Sequence, residues 1–436
     1  MEQDYSGMKV KTCIIDPVSS QFNRGGFCYF PFVLEAAIED SFLIEEFGAA
    51  ELDKLPQAEE YLIALWSYPQ IEHVAAMLQF LPKGKARVFG YNPLITAMGF
   101  PLFRPSDDLL KAGFGAFVKR QHKYKTILYS DSDMHLSNLV KEGNRLWPFF
   151  TSHGCPKGCA FCPATVNQHK RIVLDLETVR ENLIWMGEHG EPNLHFGDED
   201  FFFDIERAKA ICDILLELNY DWNLVVLAER MTLLAFIRKY GSEILKQAGF
   251  KLLEVGLETA DPMLSKQMGK PGPNRAARLY EVCEVPILWL CITFFPGETI
   301  QTLRASGDFL RQYGLDPDAL TPRIAGNGTY GGLGQFFQPY HGTKGFEDLP
   351  TQGISLTPRP TRLLPSYLPY SFLDQKITTW NGVREEDWRW YELYQVRLPS
   401  EAVVGHQIQT AATKFYSTLA EGCMSLAIAA KTGAIE

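Results

Sequence analysis

The chain has 436 residues, too many for one simple core, so two or three structural units are expected. Apolar residues make up 46% and charged residues 22%, with a net charge of −10. That balance excludes a low-complexity or disordered chain, and the scattered lysines and arginines speak against duplex nucleic-acid binding. The first ten residues are polar and acidic and do not resemble a secretory signal. No run of about 18 apolar residues predicts a membrane span, so a cytoplasmic protein is expected.

Taken in order, residues 9–16 read as a buried strand, 31–40 as a helix, 41–47 and 60–68 as strands, 70–81 as an amphipathic helix and 86–91 as a fourth strand. This predicts a small parallel sheet over 1–100. Residues 48–59 leave little room for a crossover between the second and third strands. Residues 101–146 read as a connector with one helix near 109–122. Strands and helices then alternate from 147 to 315 in about five β/α units without hairpin signals. A parallel barrel, full or partial, is expected over 147–320. The fold class is therefore α/β, with a mostly helical cap over 321–436.

Within that last region, 325–335 is Gly-rich and reads either as a ligand-approaching backbone or as a surface loop. Trp388, Trp390, Tyr391 and Tyr394 form an aromatic band read as packing, and the chain from 384 reads as helical. Arg323 is a candidate for an anionic group.

Residues 151–163, TSHGCPKGCAFCP, place Cys155, Cys159 and Cys162 in a C-x3-C-x2-C pattern. Three soft thiolates this close suit an iron–sulfur cluster or zinc. The same spacing fits one face of a buried helix, but Gly154, Pro156, Gly158 and Pro163 oppose a helix and favour a wrapping loop. A zinc site would draw on His153 or His169 as its fourth ligand. Nine cysteines without a secretory leader point to metal or redox chemistry rather than disulfides. Cys13, Cys28, Cys212, Cys283, Cys291 and Cys423 read as small core residues, with Cys28 also open to an active-site role. His195 reads as a satisfied core histidine, and Phe201, Phe202 and Phe203 as core.

On these residues the sequence resembles the radical S-adenosylmethionine (SAM) superfamily. The cysteine loop leaves a strand, and Phe161 precedes the third cysteine. Residues 194–204, with Gly197, Asp198, Glu199 and Asp200, look like the second-strand segment that contacts the SAM amino group. Glu229 and Arg230 end 222–230, another segment that contacts SAM. Glu258 and Thr259 lie in 255–270, similar to the family's "G-x-E-S … L … K" segment. Pro296, Gly297 and Glu298 match the fifth-strand "G-x-P-G-E-T" segment. The resemblance implies a 4Fe–4S cluster on the three cysteines, with SAM at its open iron. Reductive cleavage of SAM gives a 5′-deoxyadenosyl radical for hydrogen abstraction from a small-molecule or nucleotide substrate. It also implies reduced flavodoxin or ferredoxin as electron donor.

The N-terminal unit is similar in layout to the cobalamin-binding radical SAM class. "IIDP" opens it, "FNRGGFCYFPFVLEAA" resembles that class's entry to its first helix, and 61–80 resembles its "Y-L-x-x-x-x-S-x-x-Q" strand and helix. An Asp-x-His-x-x-Gly cobalt-ligand loop is missing and the unit is short. Three readings follow. The leading expectation is direct use of the radical for a rearrangement, elimination or oxidation. The alternative is a cobalamin-dependent methyltransferase. The third is a non-catalytic metal-binding module.

Overall fold

The computed structural model describes residues 4–17, 29–66, 70–124, 146–167, 170–293, 295, 297, 300–313, 330–336, 340–348, 379–380 and 383–384. Cys28, His169, Pro296, Glu298, Arg323, the aromatic band 388–394 and Cys423, like most of the expected cap, lie outside the described residues.

The N-terminal unit comprises β1 (Lys9–Pro17), α1 (Phe30–Ala37), β2 (Ser41–Phe47), β3 (Gln57–Leu65), α2 (Ile71–Phe80), β4 (Ala86–Gly90) and α3 (Asn92–Ala97). Its four strands are all parallel, in the order β2-β1-β3-β4. From Cys13 onward β1 is buried at every position, the burial expected of a parallel strand covered on both faces. The expected strands are all present. The crowding expected between β2 and β3 is resolved because they do not pair. They flank β1, and residues 49–54 make a 3-10 turn on the way across.

The connector carries α4 (Asp107–Phe117), started by Ser106, whose hydroxyl accepts from the Leu109 amide at 3.1 Å. Val33 packs so closely on it that a Cβ at Gly113 would lie 2.3 Å from the Val33 carbonyl oxygen.

The larger sheet follows. Its elements are β5 (Trp147–Phe149), β6 (Ser152–His153), α5 (Pro163–Asn167), β7 (Ile172–Val173), α6 (Leu176–Glu188), β8 (Asn193–Phe196), α7 (Ile205–Leu218), β9 (Asn223–Ala228), α8 (Arg230–Tyr240), α9 (Glu243–Gln247), β10 (Phe250–Glu258), α10 (Pro262–Gln267), α11 (Asn274–Val282), β11 (Ile287–Thr293), α12 (Ile300–Gln312) and β12 (Tyr330–Phe336). Six strands lie in the order β12-β11-β10-β9-β8-β5, every pair parallel. This is a singly wound arc of β/α units, with β6 and β7 as a small antiparallel pair beside it.

Two expectations change here. Residues 330–335 of the Gly-rich stretch are not a loop but part of β12, so the sheet continues past residue 320. Arg384 belongs to a short antiparallel pair, β13 (Thr379–Trp380) with β14 (Val383–Arg384), rather than to a helix. After β12 comes the short helix α13 (Lys344–Glu347).

Side-chain alternation divides the larger sheet. Leu194, Phe196, Leu224, Val226, Leu253, Val255 and Trp289 join the main core under the helices. Val225, Leu252 and Leu288 form a separate apolar patch on the other face. The main core is continuous with the N-terminal unit through Ile14, Phe30, Phe32 and Leu62. The two sheets therefore share packing, and their relative placement is set by apolar contact rather than by a linker.

Candidate cofactor site at the carboxyl end of the six-stranded sheet

The cysteine loop runs from Gly154 to Cys162, between β6 and α5. Gly154 has φ +93, and a Cβ there would stand 2.5 Å from the Lys170 carbonyl oxygen, so only glycine lets the loop turn away from the β6–β7 pair. The loop is pinned at its centre. The Ala160 amide donates to the Met268 carbonyl at 3.0 Å, and the Ala160 carbonyl accepts from the Gly345 amide at 2.7 Å. All three thiols are free and half-buried. Burial raises the pKa of each. That of Cys162 is pushed up to about 12, with Cys159 and Cys155 adding to the rise, so the three act on one another. Among the described residues, no three His, Cys, Asp or Glu side chains converge as a single-ion site would require. A four-iron cluster takes each thiolate on a different iron.

The residues after β8 cradle this loop rather than open space. Asp198 is fully buried and accepts from the Thr151 amide at 3.0 Å, the Thr151 hydroxyl at 2.7 Å and the Ser152 hydroxyl. Burial raises its pKa against those bonds. Glu199 accepts from the Gly154 amide at 2.8 Å and pairs with His153 Nδ1 at 2.8 Å. Burial opposes its ionisation, but His153 and the Gly154 amide prevail and hold its pKa low. Asp200 receives Lys157 Nζ at 2.8 Å, the Thr232 hydroxyl at 3.0 Å and the Glu229 amide at 3.2 Å. Gly197 is required by packing, because a Cβ there would lie 2.3 Å from the Phe150 ring. Glu199 and Asp200 thus clamp the cysteine loop, while Gly197 and Asp198 hold the strand segment that leads into it.

Glu229 caps α8 through the Met231 amide at 2.9 Å and also binds Lys157 Nζ at 3.0 Å. Its other oxygen, Oε1, is buried without a hydrogen-bond partner among the described residues. Arg230 is fully buried. Its Nη2 donates to the Pro271 carbonyl at 2.7 Å, while Nε and Nη1 have no partner among the described residues. Burial lowers its pKa, opposed by Glu258 and Glu229.

Glu258, at the end of β10, sits at φ +60 with Lys270 Nζ 3.2 Å away. A Cβ on Gly256 would collide with its carboxylate at 2.1 Å. Lys270 lies 5.7 Å from the Phe161 ring centroid, which ties the cysteine loop to β10. Burial works against the charge on Lys270, but Glu258 and Cys159 outweigh it and raise its pKa. Thr259 points elsewhere, to Ser306 of α12 at 3.3 Å. Gly297 has φ +94, and a Cβ there would meet Gln267 Oε1 at 2.7 Å.

Of the residues singled out in the sequence, the structure gathers Glu229, Arg230 and Glu258 around the cysteine loop. It places Glu199 and Asp200 as the loop's supports, and it commits Asp198 and Thr259 to contacts away from the thiols. Two residues central to the charge balance, Lys157 and Lys270, had no role assigned to them. Lysine in a loop reads as a solvated cation, although Lys270 closes the "G-x-E-S … L … K" segment.

Phe203 also differs from expectation. It is 40% exposed, with the Arg171 guanidinium 4.9 Å over its ring, whereas Phe201 and Phe202 are core. His195 is held by Glu254 at 3.1 Å, on the face of the sheet away from the main core. Cys13, Cys212 and Cys291 are buried in the core, and Cys283 is partly buried. No described helix is long and apolar enough to cross a membrane.

Comparison with known proteins agrees with this geometry. The sequence profile of the Radical SAM superfamily matches residues 149–310. Bacteriochlorophyllide d C-12(1)-methyltransferase of Chlorobaculum tepidum is 24% identical over 185 residues, which is 40% of this chain and 39% of that protein. The radical SAM methyltransferase TsrM from Kitasatospora setae, solved with cobalamin and a [4Fe-4S] cluster, superposes with a TM-score of 0.52. The two are 14% identical, with 79% of this chain and 78% of that one covered. TsrM solved with its tryptophan substrate and the SAM analogue aza-SAM gives a TM-score of 0.51 at 14% identity, covering 78% and 76%. At that identity the likeness concerns the fold. Residues 149–310 thus match the radical SAM superfamily, whose cofactors are an iron–sulfur cluster and SAM, while the chain spans well under half the length of the curated relative it matches.

Proposed function

We propose that this enzyme is a cobalamin-dependent radical SAM methyltransferase, in preference to the direct radical chemistry that leads the sequence reading. In this reading Cys155, Cys159 and Cys162 hold the cluster, and SAM lies between Arg230, Glu229 and the cluster. The buried groups fit such a ligand. An amino-acid moiety carries a carboxylate and an ammonium. The two unpartnered donors of Arg230 match the first, and the unpartnered Oε1 of Glu229 matches the second. Lys157 and Lys270 supply positive charge against the thiolates.

The observation that carries the methyl-transfer reading is the docking of the N-terminal sheet. Ligands of parallel α/β sheets bind at the carboxyl ends of the strands. That edge packs directly on the cysteine region. The Asn92 amide donates to Asn167 Oδ1 at 2.8 Å, just beyond the cysteine loop, and the Phe30 ring lies 4.8 Å from His153. A group bound at the edge of the first sheet therefore faces the cofactor site of the second. When bound, cobalamin supplies a methyl carrier and the cluster supplies the electron that activates SAM. The protein's own part is to hold the two groups face to face, keep the thiol loop rigid and exclude water with its apolar seam.

The relatives that act as methyltransferases support this reading over direct hydrogen abstraction. The substrate is proposed to be a small molecule, with a reduced flavodoxin or ferredoxin as donor. Anaerobic reconstitution with iron, sulfide and cobalamin, followed by desalting, tests it. Retained iron–sulfur and corrinoid absorption is expected, and the former disappears in the Cys155→Ala, Cys159→Ala, Cys162→Ala variant. A cluster without retained corrinoid would return the reading to direct radical chemistry.

A further inference from the structure

Phe203 leaves the core beside the cysteine loop, where its exposed ring has cations on it. The Arg171 guanidinium lies 4.9 Å from the ring centroid and Lys157 Nζ 5.8 Å from it. Lys157 stands between Cys155 and Cys159, and its neighbours Pro156 and Gly158 are exposed. A Cβ at Gly158 would meet nothing within 4 Å, so the loop reaches solvent at this point. On the other side, the Glu229 oxygen that binds Lys157 also accepts from the amide of Met231, a residue 40% exposed. Two large apolar residues thus flank a stretch where the cysteine loop meets water. Arg171 is held rigidly among them. Its Nε and Nη2 donate to the Ser152 hydroxyl at 3.0 and 2.7 Å, and Nη2 donates to the Asp200 carbonyl at 3.1 Å. Nearby, Arg207 donates to the Thr151 carbonyl at 3.2 Å. None of these acceptors is a carboxylate. The acid behind them, Asp198, is fully buried, so cations are what this surface presents.

We infer that Phe203, Met231 and Arg171 form the docking surface for an acidic electron-donor protein of the flavodoxin type, which delivers electrons through the exposed loop between Cys155 and Cys159. This rests on the reading of the three cysteines as a cluster site. Reductive cleavage of SAM consumes an electron that comes from outside the chain. Electron tunnelling falls steeply with distance, so a donor must dock where the cysteine loop lies nearest solvent. The chain carries a net charge of −10 and repels an acidic partner as a whole. A local positive patch beside the loop therefore orients the partner as well as attracting it. Apolar residues edged by cations suit the small interface of a transient redox encounter, below about 1,200 Å². The apolar edge of a flavin ring matches the exposed ring of Phe203. In the step itself the anionic flavin hydroquinone gives up one electron and becomes the neutral semiquinone. The cluster passes from its 2+ to its 1+ state, and no proton is transferred.

The test uses the full chain with its cluster reconstituted, mixed anaerobically in a stopped-flow instrument with excess flavodoxin hydroquinone or, separately, with dithionite. Appearance of the flavin semiquinone follows the first reaction and bleaching of the cluster follows the second. Phe203→Ser and Arg171→Gln should slow electron transfer from flavodoxin about 10-fold at low salt. Dithionite needs no docking, so it should reduce all variants alike and report equal cluster loading. Arg171→Lys keeps the charge and should retain most of the rate. Added salt should slow the wild type, and Arg171→Gln should lose part of that dependence. Wild-type rates and salt dependence in both Phe203→Ser and Arg171→Gln, with equal bleaching by dithionite, would overturn the docking surface. Should Arg171→Gln lose its cluster, Phe203→Ser decides alone, because it alters an exposed ring. Failure of the wild type to take up a cluster would instead overturn the cluster reading, and this inference with it.

Discussion

Arg230 offers a sharp test of the site, because the same residue should cost stability and support binding. Its guanidinium is fully buried, with one hydrogen bond to Pro271 and two nitrogens, Nε and Nη1, that have no partner among the described residues. An unsatisfied buried donor costs about 1–3 kcal/mol, and the lost bond to Pro271 returns about 1.5–3 kcal/mol. Arg230→Met removes the charge at similar volume. It leaves Glu258 with Lys270 and Glu229 with Lys157, so no carboxylate is stranded. The cofactor-free protein should therefore gain roughly 2 kcal/mol and unfold a few degrees higher. SAM should bind about 10- to 150-fold more weakly, the loss of one charge-assisted contact of about 1.5–3 kcal/mol. Thermal unfolding of the cofactor-free protein and equilibrium dialysis with SAM on the cluster-loaded protein measure the two effects. A variant that is destabilised yet binds SAM as wild type would show that Arg230 is a structural ion-pair member, and the reasoning would fail.

Three further outcomes are expected. Lys157→Met strands Asp200 and Glu229 in a mostly buried setting and should cost about 3–5 kcal/mol, seen as a lower denaturation midpoint and poor cluster incorporation; an unchanged midpoint would show that the pair is dispensable. Gly197→Ala forces a methyl into the Phe150 ring and should cost about 1–3 kcal/mol, whereas Gly7→Ala, with open space around it and no left-handed backbone, should cost less, which paired chemical denaturation checks. Burial lowers the pKa of His341 below its ordinary 6.5. The unfolded chain therefore takes up this proton more readily, so its contribution is present above about pH 6.5 and lost as pH falls through the lower folded value. His341→Phe should flatten the acid side of the stability profile, and a variant with the wild-type slope would assign that slope to other groups.

Much of this was legible from spacing alone. The strands from Lys9 to Gly90 are short apolar runs between helical periods, and local patterning suffices to find them. The C-x3-C-x2-C loop is equally local, since its glycines and prolines forbid a helix around the thiols. Sequence position also put Glu229, Arg230 and Glu258 at strand ends, where sites form. It misjudged β12, because a stretch rich in glycine carries no strand pattern and is held in place by pairing with β11.

What the sequence by itself determined was the chemistry: three thiolates in one loop and acidic residues at successive strand ends. Tertiary structure alone decided which acids hold the cysteine segment and which keep a buried oxygen without a partner among the described residues. Asp198, Glu199 and Asp200 are consecutive, yet their carboxylates meet Thr151, Gly154 and Lys157, distributed along the cysteine segment by the geometry of the turn after β8. The unpaired donors of Arg230 and the exposed ring of Phe203 beside the cysteine loop are likewise invisible in one dimension. Whether a buried polar group is satisfied, and which two surfaces meet, depends on contacts between residues far apart in the chain.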